Sequence, residues 1–398
     1  MMGQRIDFVV PRYWLRGGAE NAVRMTAERV AAQLGWDIHL HATTALSSGT
    51  WANETAPGDE QINGIWVHRH HVDSGRTIEW GPLNERVKGS PSTIDPASEA
   101  AFFATQGPVS HALATAVKDS PADLIVFAPY LFWTTVGVIG DVIDRAAVVP
   151  AAHDEPFLRL PSVGRSLAAS RGLLYGSVAE RRLLERVIPV AHLPHTVLGW
   201  GIDDPVTSDP ARTLPVQVED GRPFVLSLGR VEHAKGTVAL ARFWDTYRRR
   251  EGREHRLVLA GELNAEIPDA GDDIIVLDDV DDATKWDLLR EADVMIAPSA
   301  MESFSLVVLE AWTAGTPVLV NRWCGATLDH AAAARGGLWY GDYPEFEAAL
   351  DRLLADAHLR DRLAANGARF TEQTYGWEAI VERFEGFVKQ LLRHEPRR

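Results

Sequence analysis

Cysteine is almost absent. Cys324 is the only one in 398 residues, so no disulfide can close within the chain, and a reducing cytoplasm is the simplest inference. Positive charge is in deficit: 40 Lys and Arg stand against 55 Asp and Glu, a formal net charge of -15. Such a surface does not attract nucleic acid or anionic lipid, so no nucleic-acid partner is expected. Two basic clusters remain: Arg248, Arg249, Arg250 and Arg253, and the tail Arg393, Arg397 and Arg398. They read as a solvated helix face and a chain end. The tail leaves room for a peripheral contact with the inner face of a membrane. No apolar run is long enough to cross a bilayer. Met1-Met2-Gly3-Gln4-Arg5 leads straight into a strand, without the apolar core of a signal peptide. Low-complexity tracts are missing too.

What is present is one alternation, played twice. Short apolar runs at residues 6–10, 38–42, 65–72, 124–128 and 148–152 are predicted strands, with helices between several of them at 19–34, 99–117 and 132–143. The pattern then restarts. Strands are predicted at 224–228, 257–260, 274–277, 294–297 and 317–320, separated by helices at 237–250, 283–291, 305–314 and 345–354. Strands alternating with helices predict parallel sheets covered on both faces, and the length suits two domains. The fold class is therefore α/β, with two Rossmann-like doubly wound domains and an interdomain cleft. Residues 45–97, rich in Gly, Pro, Ser and charge with one strand inside, read as variable surface of the first domain. Residues 199–222 carry Pro205, Pro210 and Pro215 among Asp203, Asp204 and Asp209 and read as the linker. Near the end, Ile380, Phe384, Phe387 and Leu391 share one helical face. The predicted boundaries are 1–200, 201–375 and 376–398.

Doubly wound sheets bind ligands beyond the C-terminal ends of their strands, and the candidate motifs sit there. Glu302 and Glu310 lie eight positions apart around the predicted strand-to-helix junction of Met301-Glu302-Ser303-Phe304-Ser305-Leu306-Val307-Val308-Leu309-Glu310. A helix N-terminus attracts an anion, most often phosphate. Carboxylates would repel that anion, so their targets are hydroxyls; hydroxyls plus phosphate in one pocket read as a nucleotide sugar. Gly229-Arg230 follows a predicted strand and Lys235-Gly236 precedes a helix, placing two cations at one loop. They suit a departing diphosphate; solvated surface cations are the competing reading. Gly17-Gly18 joins the first strand to the first helix, where a ligand can approach the backbone. It is not the dinucleotide Gly-x-Gly-x-x-Gly, so a nicotinamide cofactor is disfavoured. His153-Asp154-Glu155 follows another strand and reads as acid–base machinery, a metal cluster or a structural strand end. The acidic run 278–282 reads as a turn with Asp281 or Asp282 as helix N-cap.

Taken in order, Gly17-Gly18-Ala19-Glu20, His153-Asp154, Gly229-Arg230…Lys235-Gly236 and Glu302-x7-Glu310, continuing into Ala311-Trp312-x-x-Gly315-x-Pro317-Val318, resemble the retaining glycosyltransferases of family 4. The resemblance spans essentially the whole chain. It implies the GT-B fold, with a C-terminal helix crossing back to the first domain. It implies an acceptor-binding first domain and a second domain that binds a UDP- or GDP-linked sugar, moved to an acceptor hydroxyl. Arg230 and Lys235 would bind the donor diphosphate, Glu302 the sugar hydroxyls and Glu310 the ribose hydroxyls. The segment Ser303, Phe304, Ser305, Leu306 and Val307 would offer backbone amides to sugar and phosphate. His153 would lie against the donor sugar near the reacting carbon, Gly17, Gly18 and Gly229 would let their loops approach the donor, and the base would meet the chain near 276–280. His153, Arg230, Lys235 and Glu302 form the catalytic set this implies. No metal and no cofactor beyond the donor is expected. The acceptor would be a carbohydrate, a lipid-linked intermediate or a small metabolite, met partly by Arg12, Tyr13 and Trp14. Ser303 and Ser305, often glycine in the family, are departures. The alternatives are a nucleotide-sugar epimerase of the same fold and a non-catalytic nucleotide-sugar-binding protein.

Overall fold

The computed structural model describes residues 4–13, 15, 18–203, 214–249, 254–267 and 273–393. Gly17, Trp14, Arg250, Arg253, Arg397, Arg398 and the linker positions Asp204, Pro205, Asp209 and Pro210 lie outside the described residues. The chain divides into two compact units. The first comprises Met1–Gly201 with Trp377–Arg398, the second Ile202–Gly376.

The first unit holds an eight-stranded sheet: β1 (Arg5–Arg12), β2 (Asp37–Thr43), β3 (Gly58–Ile62), β4 (Ile65–His70), β5 (Leu124–Phe127), β6 (Ala146–Val148), β7 (Gly172–Tyr175) and β8 (His195–Val197), in the order β3-β4-β2-β1-β5-β6-β7-β8. Every pairing is parallel except β3 with β4. The interior strands β5 and β6 are continuous apolar runs because helices cover both faces, whereas β1 buries Asp7 and β2 buries His39 and His41. β5 and β6 are buried along their whole length. The core gathers Val9, Ile125, Phe127, Val148, Leu173 and Leu184. The helix Trp377–Arg393 closes the other face, stacking Phe384 on Phe8 at 5.8 Å. Its predicted apolar face is the one buried: Ile380, Phe384, Phe387 and Leu391 are all inside.

The second unit holds six parallel strands: β9 (Phe224–Leu228), β10 (Arg256–Ala260), β11 (Ile274–Leu277), β12 (Val294–Ala297), β13 (Val318–Asn321) and β14 (Gly337–Tyr340), ordered β11-β10-β9-β12-β13-β14. Two Rossmann-like α/β units with parallel sheets are thus the architecture, and the fold class read from the sequence holds.

Local expectations needed correction where glycine and proline intervene. The helix expected over 99–117 is two, Pro96–Gln106 and His111–Lys118, because Gly107 takes φ 68 and Pro108 offers no N–H. The helix expected over 132–143 shrinks to Trp133–Val136 plus a 3₁₀ turn, Ile139–Arg145. β6 stops at Val148, before Pro150, so residues 149–152 are loop. Residues 45–97 contain two strands, a hairpin turning at Asn63 (φ 49) and Gly64 (φ 84), and the helix Trp80–Gly89. The basic cluster is a paired surface: Arg248 binds Asp245 and Asp273, and Arg249 binds Asp245.

Candidate active site

In the second unit the chain order reverses between β9 and its neighbour β12, which is where an open α/β sheet exposes a ligand crevice. The loops leaving these two strands carry the candidate residues. After β9, Gly229 (φ 125) donates its N–H to Ala260, and Val231 donates to Glu262. A 3₁₀ turn, His233–Lys235, then leads through Gly236 (φ 75) into the helix Thr237–Arg248. A Cβ on Gly236 would stand 2.5 Å from the Pro298 carbonyl just beyond β12, so glycine there draws the two loops together.

The consequence is an ion pair across the reversal: Lys235 Nζ lies 2.8 Å from Glu302 Oε1. Both side chains keep some exposure, 30% and 21%. Arg230 turns instead to Glu232, at 3.2 Å. Glu310, in the helix Leu306–Thr313, binds Lys285 Nζ at 2.9 Å. Burial works against the charge on Lys285, but Glu310 and Asp282 outweigh it and raise its pKa. Lys285 was not among the sequence candidates. The signal was a lysine one turn into the helix Asp282–Glu291, beyond the acidic turn whose Asp281 caps that helix by accepting from Thr284 at 2.7 Å.

Between Glu302 and Glu310 the backbone is pinned by Phe304, which is buried and packs edge-on against His330 (4.9 Å) and Tyr375 (5.0 Å). Burial drops the pKa of His330 to about 4, so it is neutral in the fold. A histidine depressed below its unfolded value of 6.5 supports the fold above that value. The support is lost as pH falls from 6.5 through 4. Acidification is therefore expected to cost the second unit up to about 3 kcal/mol through this residue alone. A His330→Gln variant should flatten the acid limb of a plot of Tm against pH.

The helix expected over 305–314 begins at Leu306, because Ser305 is its N-cap in the left-handed region, φ 76 and ψ 80. Its side chain caps nothing. The family's frequent glycine here thus has a backbone reason. Ser305→Gly is expected to stabilise the second unit by about 1 kcal/mol, read as a rise in Tm; Ser305→Val should lower it. Leu306 and Val307 follow as the first helical residues, whose N–H groups have no intrahelical acceptor. Cys324 is buried, and burial pushes its thiol pKa up, so it is no thiolate nucleophile. Beside β11, a shallow open depression is lined by Leu263, Asn264, Ile267 and Val276.

The first unit carries the remaining candidates. Gly18 (φ 94) is the N-cap of the helix Ala19–Leu34, at the β1–β5 reversal. Arg12 binds Glu20 at 3.2 Å and the Leu46 carbonyl, and Tyr13 binds Glu28 at 3.3 Å. His153 lies beyond β6. Its Nδ1 is 3.7 Å from Glu155 Oε1, too far for a hydrogen bond. The acids beside it diverge: Asp154 pairs with Arg159 and Arg186, while Glu155 accepts from Tyr130 at 2.6 Å. Among the described residues no cluster of His, Cys, Asp or Glu is arranged to hold a metal, and no helix is long and apolar enough to cross a membrane.

Residues 215–370 match the family of glycosyl transferases group 1. The second unit carries a glycosyltransferase domain. It is an enzyme domain, with Arg230, Lys235, Lys285, Glu302 and Glu310 inside the matched span. Over 282 residues the chain is 31% identical to a D-inositol 3-phosphate glycosyltransferase of Xylanimonas cellulosilytica, covering 64% of this chain and 66% of that one. It thus spans just under two thirds of that relative, and 45% of a Methanocaldococcus jannaschii glycosyltransferase matched at 27% identity over 42% of this chain. Among solved structures, a sucrose-phosphate synthase from Thermosynechococcus elongatus superposes with a TM-score of 0.69 at 19% identity, covering 98% and 99% of the two chains. At that identity the likeness establishes the fold alone, the two-domain GT-B fold.

Proposed function

We propose that the chain transfers a sugar from a UDP- or GDP-linked donor, with retention of configuration, to an acceptor hydroxyl, as in the family 4 enzymes. The observation that carries this reading is the Lys235–Glu302 pair across the β9–β12 reversal. Without donor, the two charges neutralise each other. On binding, the diphosphate takes Lys235 and Arg230, and the sugar hydroxyls take Glu302. Glu310, steadied by Lys285, receives the ribose hydroxyls. The base lies beside Val276, and the amides after Ser303 and Phe304 meet sugar and phosphate. His153 and Gly18 belong to the first unit, and in this reading the resemblance assigns His153 to the donor sugar.

In the step itself the bond from the anomeric carbon to the diphosphate breaks and a bond to the acceptor oxygen forms on the same face. The acceptor proton passes to a phosphate oxygen of the leaving group. Arg230 and Lys235 offset the charge that develops there. The cations do this work, so the reading uses no metal and no redox cofactor. Glu302 serves as a hydroxyl acceptor, not a nucleophile.

A small-molecule acceptor is favoured by the curated relative whose name contains D-inositol 3-phosphate. A glycan or lipid-linked acceptor would place the reaction at the inner face of the membrane; otherwise it is cytoplasmic. The deciding experiment screens UDP, GDP and their sugars for a dose-dependent rise in Tm. The stabilising donor is then incubated with candidate acceptors and the product anomer read by NMR. A sugar epimerised without acceptor would instead establish the epimerase, and binding without any transfer would establish the non-catalytic protein.

A further inference from the structure

His153 stands on an irregular loop, and Ala151 within it is held at φ 52. A left-handed alanine costs about 1–2 kcal/mol, so the surroundings must over-determine this backbone. Glu180 does so. It is the third residue of the helix Val178–Val187, and Ser177 caps that helix by accepting from the Glu180 N–H. In an ordinary capping box the glutamate at this position would turn back to the N-cap amide. This one feels the Ser177 amide and also reaches across: Oε1 accepts from Ala152 N at 2.6 Å, and Oε2 accepts from Gly176 N at 2.5 Å. A single carboxylate ties the loop after β6 to the turn after β7.

Glu180 is 2% exposed, and what shifts its carboxyl is burial and backbone amides rather than a cation. The charged and titratable groups on the elements it joins are Tyr175 on β7, His153, Asp154 and Glu155 on the tied loop, and Arg181, Arg182, Glu185 and Arg186 on its own helix, where Arg186 pairs with Asp154. Tyr175 is itself pushed up by burial and by the charges of Glu185 and Glu180. Glu155 is engaged by Tyr130, and Arg181 faces Glu185 at 3.8 Å. The amides of Ala152, Gly176 and Ser177 are all donors, so they favour the ionised form, which offers acceptors on both oxygens. A proton on either oxygen turns it from an acceptor into a donor and weakens its tie to the segment it holds. Burial opposes that ionisation and lifts the carboxyl to about 7, against the pull of the Ala152, Gly176 and Ser177 amides.

We propose that Glu180 is a positioning residue for His153: ionised, it clamps the loop that carries His153, and protonated, it lets that loop go, so transfer follows the ionisation of a carboxyl group that never touches substrate. The proposal rests on the reading of His153 as a donor-sugar contact. It separates stability from activity by sign. A carboxyl raised in the fold contributes stability below its unfolded value of 4.5 that is lost as pH rises through 7. The clamp, by contrast, forms only as pH rises through 7.

The test is Glu180→Gln, which keeps the shape and cannot ionise. Tm at alkaline pH should hold or rise, because a buried charge is gone. The kcat should fall on the order of 10- to 100-fold, with donor KM little changed, and the acid limb near pH 7 in the wild-type kcat profile should vanish. Amide ¹⁵N shifts of Ala152 and Gly176 should titrate near pH 7 in the wild type and stay flat in the variant. An unchanged kcat profile in Glu180→Gln, or amides that do not titrate in the wild type, overturns the proposal. The control is His153→Ala: full activity there sinks the His153 reading and the catalytic part of the proposal with it, whereas the amide titration reads the clamp itself in either case.

Discussion

Lys235→Ala is expected to lower kcat/KM for sugar transfer on the order of 100- to 1,000-fold, the range for removing one charge stabiliser from a site where charge develops. The fold should survive. Lys235 and Glu302 are 30% and 21% exposed, so water and salt already screen much of their attraction, and a pair of this kind contributes at most about 1 kcal/mol. Tm should therefore move little while activity collapses. The loss should appear in kcat as well as KM, because negative charge on the diphosphate grows as the glycosidic bond breaks. Glu302→Ala should be comparably inactive for a different reason: the sugar hydroxyls lose their acceptor, and an unopposed Lys235 grips the departing diphosphate. Because the two residues act on one ligand, the double variant should fall well short of the product of the single losses. Normal transfer by either single variant would remove the donor-site assignment. A drop in Tm matching the drop in activity would reduce the pair to a structural link between the loops after β9 and β12.

The outline of that site was readable in the chain because its parts follow continuous apolar strands. The run Phe224–Leu228 is largely buried and leads directly to Gly229 and Arg230, so pattern and motif agree. Where local pattern and tertiary context part, the reading thinned. β3 is Gly-Asp-Glu-Gln-Ile, exposed nearly throughout, and offers no apolar alternation. Only the Asn63-Gly64 turn marks it. Lys285 gains meaning from Glu310, 25 positions away, a separation that no helical or strand period reports. Glu180 sits in Ala-Glu-Arg-Arg-Leu-Leu-Glu-Arg and looks like one more charge on a solvated helix. Its burial is set by where β6 and β7 end. Gly107-Pro108, by contrast, was in plain view, and the long apolar periodicity around it masked the break. Ser305 shows the same limit in miniature: serine in place of a frequent glycine is visible in the sequence, but the φ of 76 that makes the exchange costly is not.

Trp312→Ala is expected to destabilise the second unit by about 3–5 kcal/mol, the range for truncating a buried aromatic. Trp312 is completely buried and lies two residues beyond Glu310 on the same helix. Its indole N–H donates to the Gly336 carbonyl at 2.8 Å, and its edge meets Phe370 at 6.1 Å. The ring is accommodated by absence on both sides: a Cβ on Gly336 would fall 2.8 Å from it, and one on Gly367 2.2 Å. Alanine would therefore leave a cavity between two glycines that have no side chain to lean into it, and would strand a buried carbonyl as well. Against a net stability of about 5–15 kcal/mol, that loss should split thermal unfolding into two steps, the second unit melting first. Donor binding should weaken even where the variant is still folded, because the helix that presents Glu310 has lost its anchor. The test is calorimetry of Trp312→Ala beside Gly367→Ala, followed by donor titration well below the first transition. Gly367→Ala should also destabilise, by driving a methyl group into the ring. If Trp312→Ala melts like the wild type, the packing account of this helix fails. If it melts early but binds donor normally, Glu310 is held by its Lys285 partner alone.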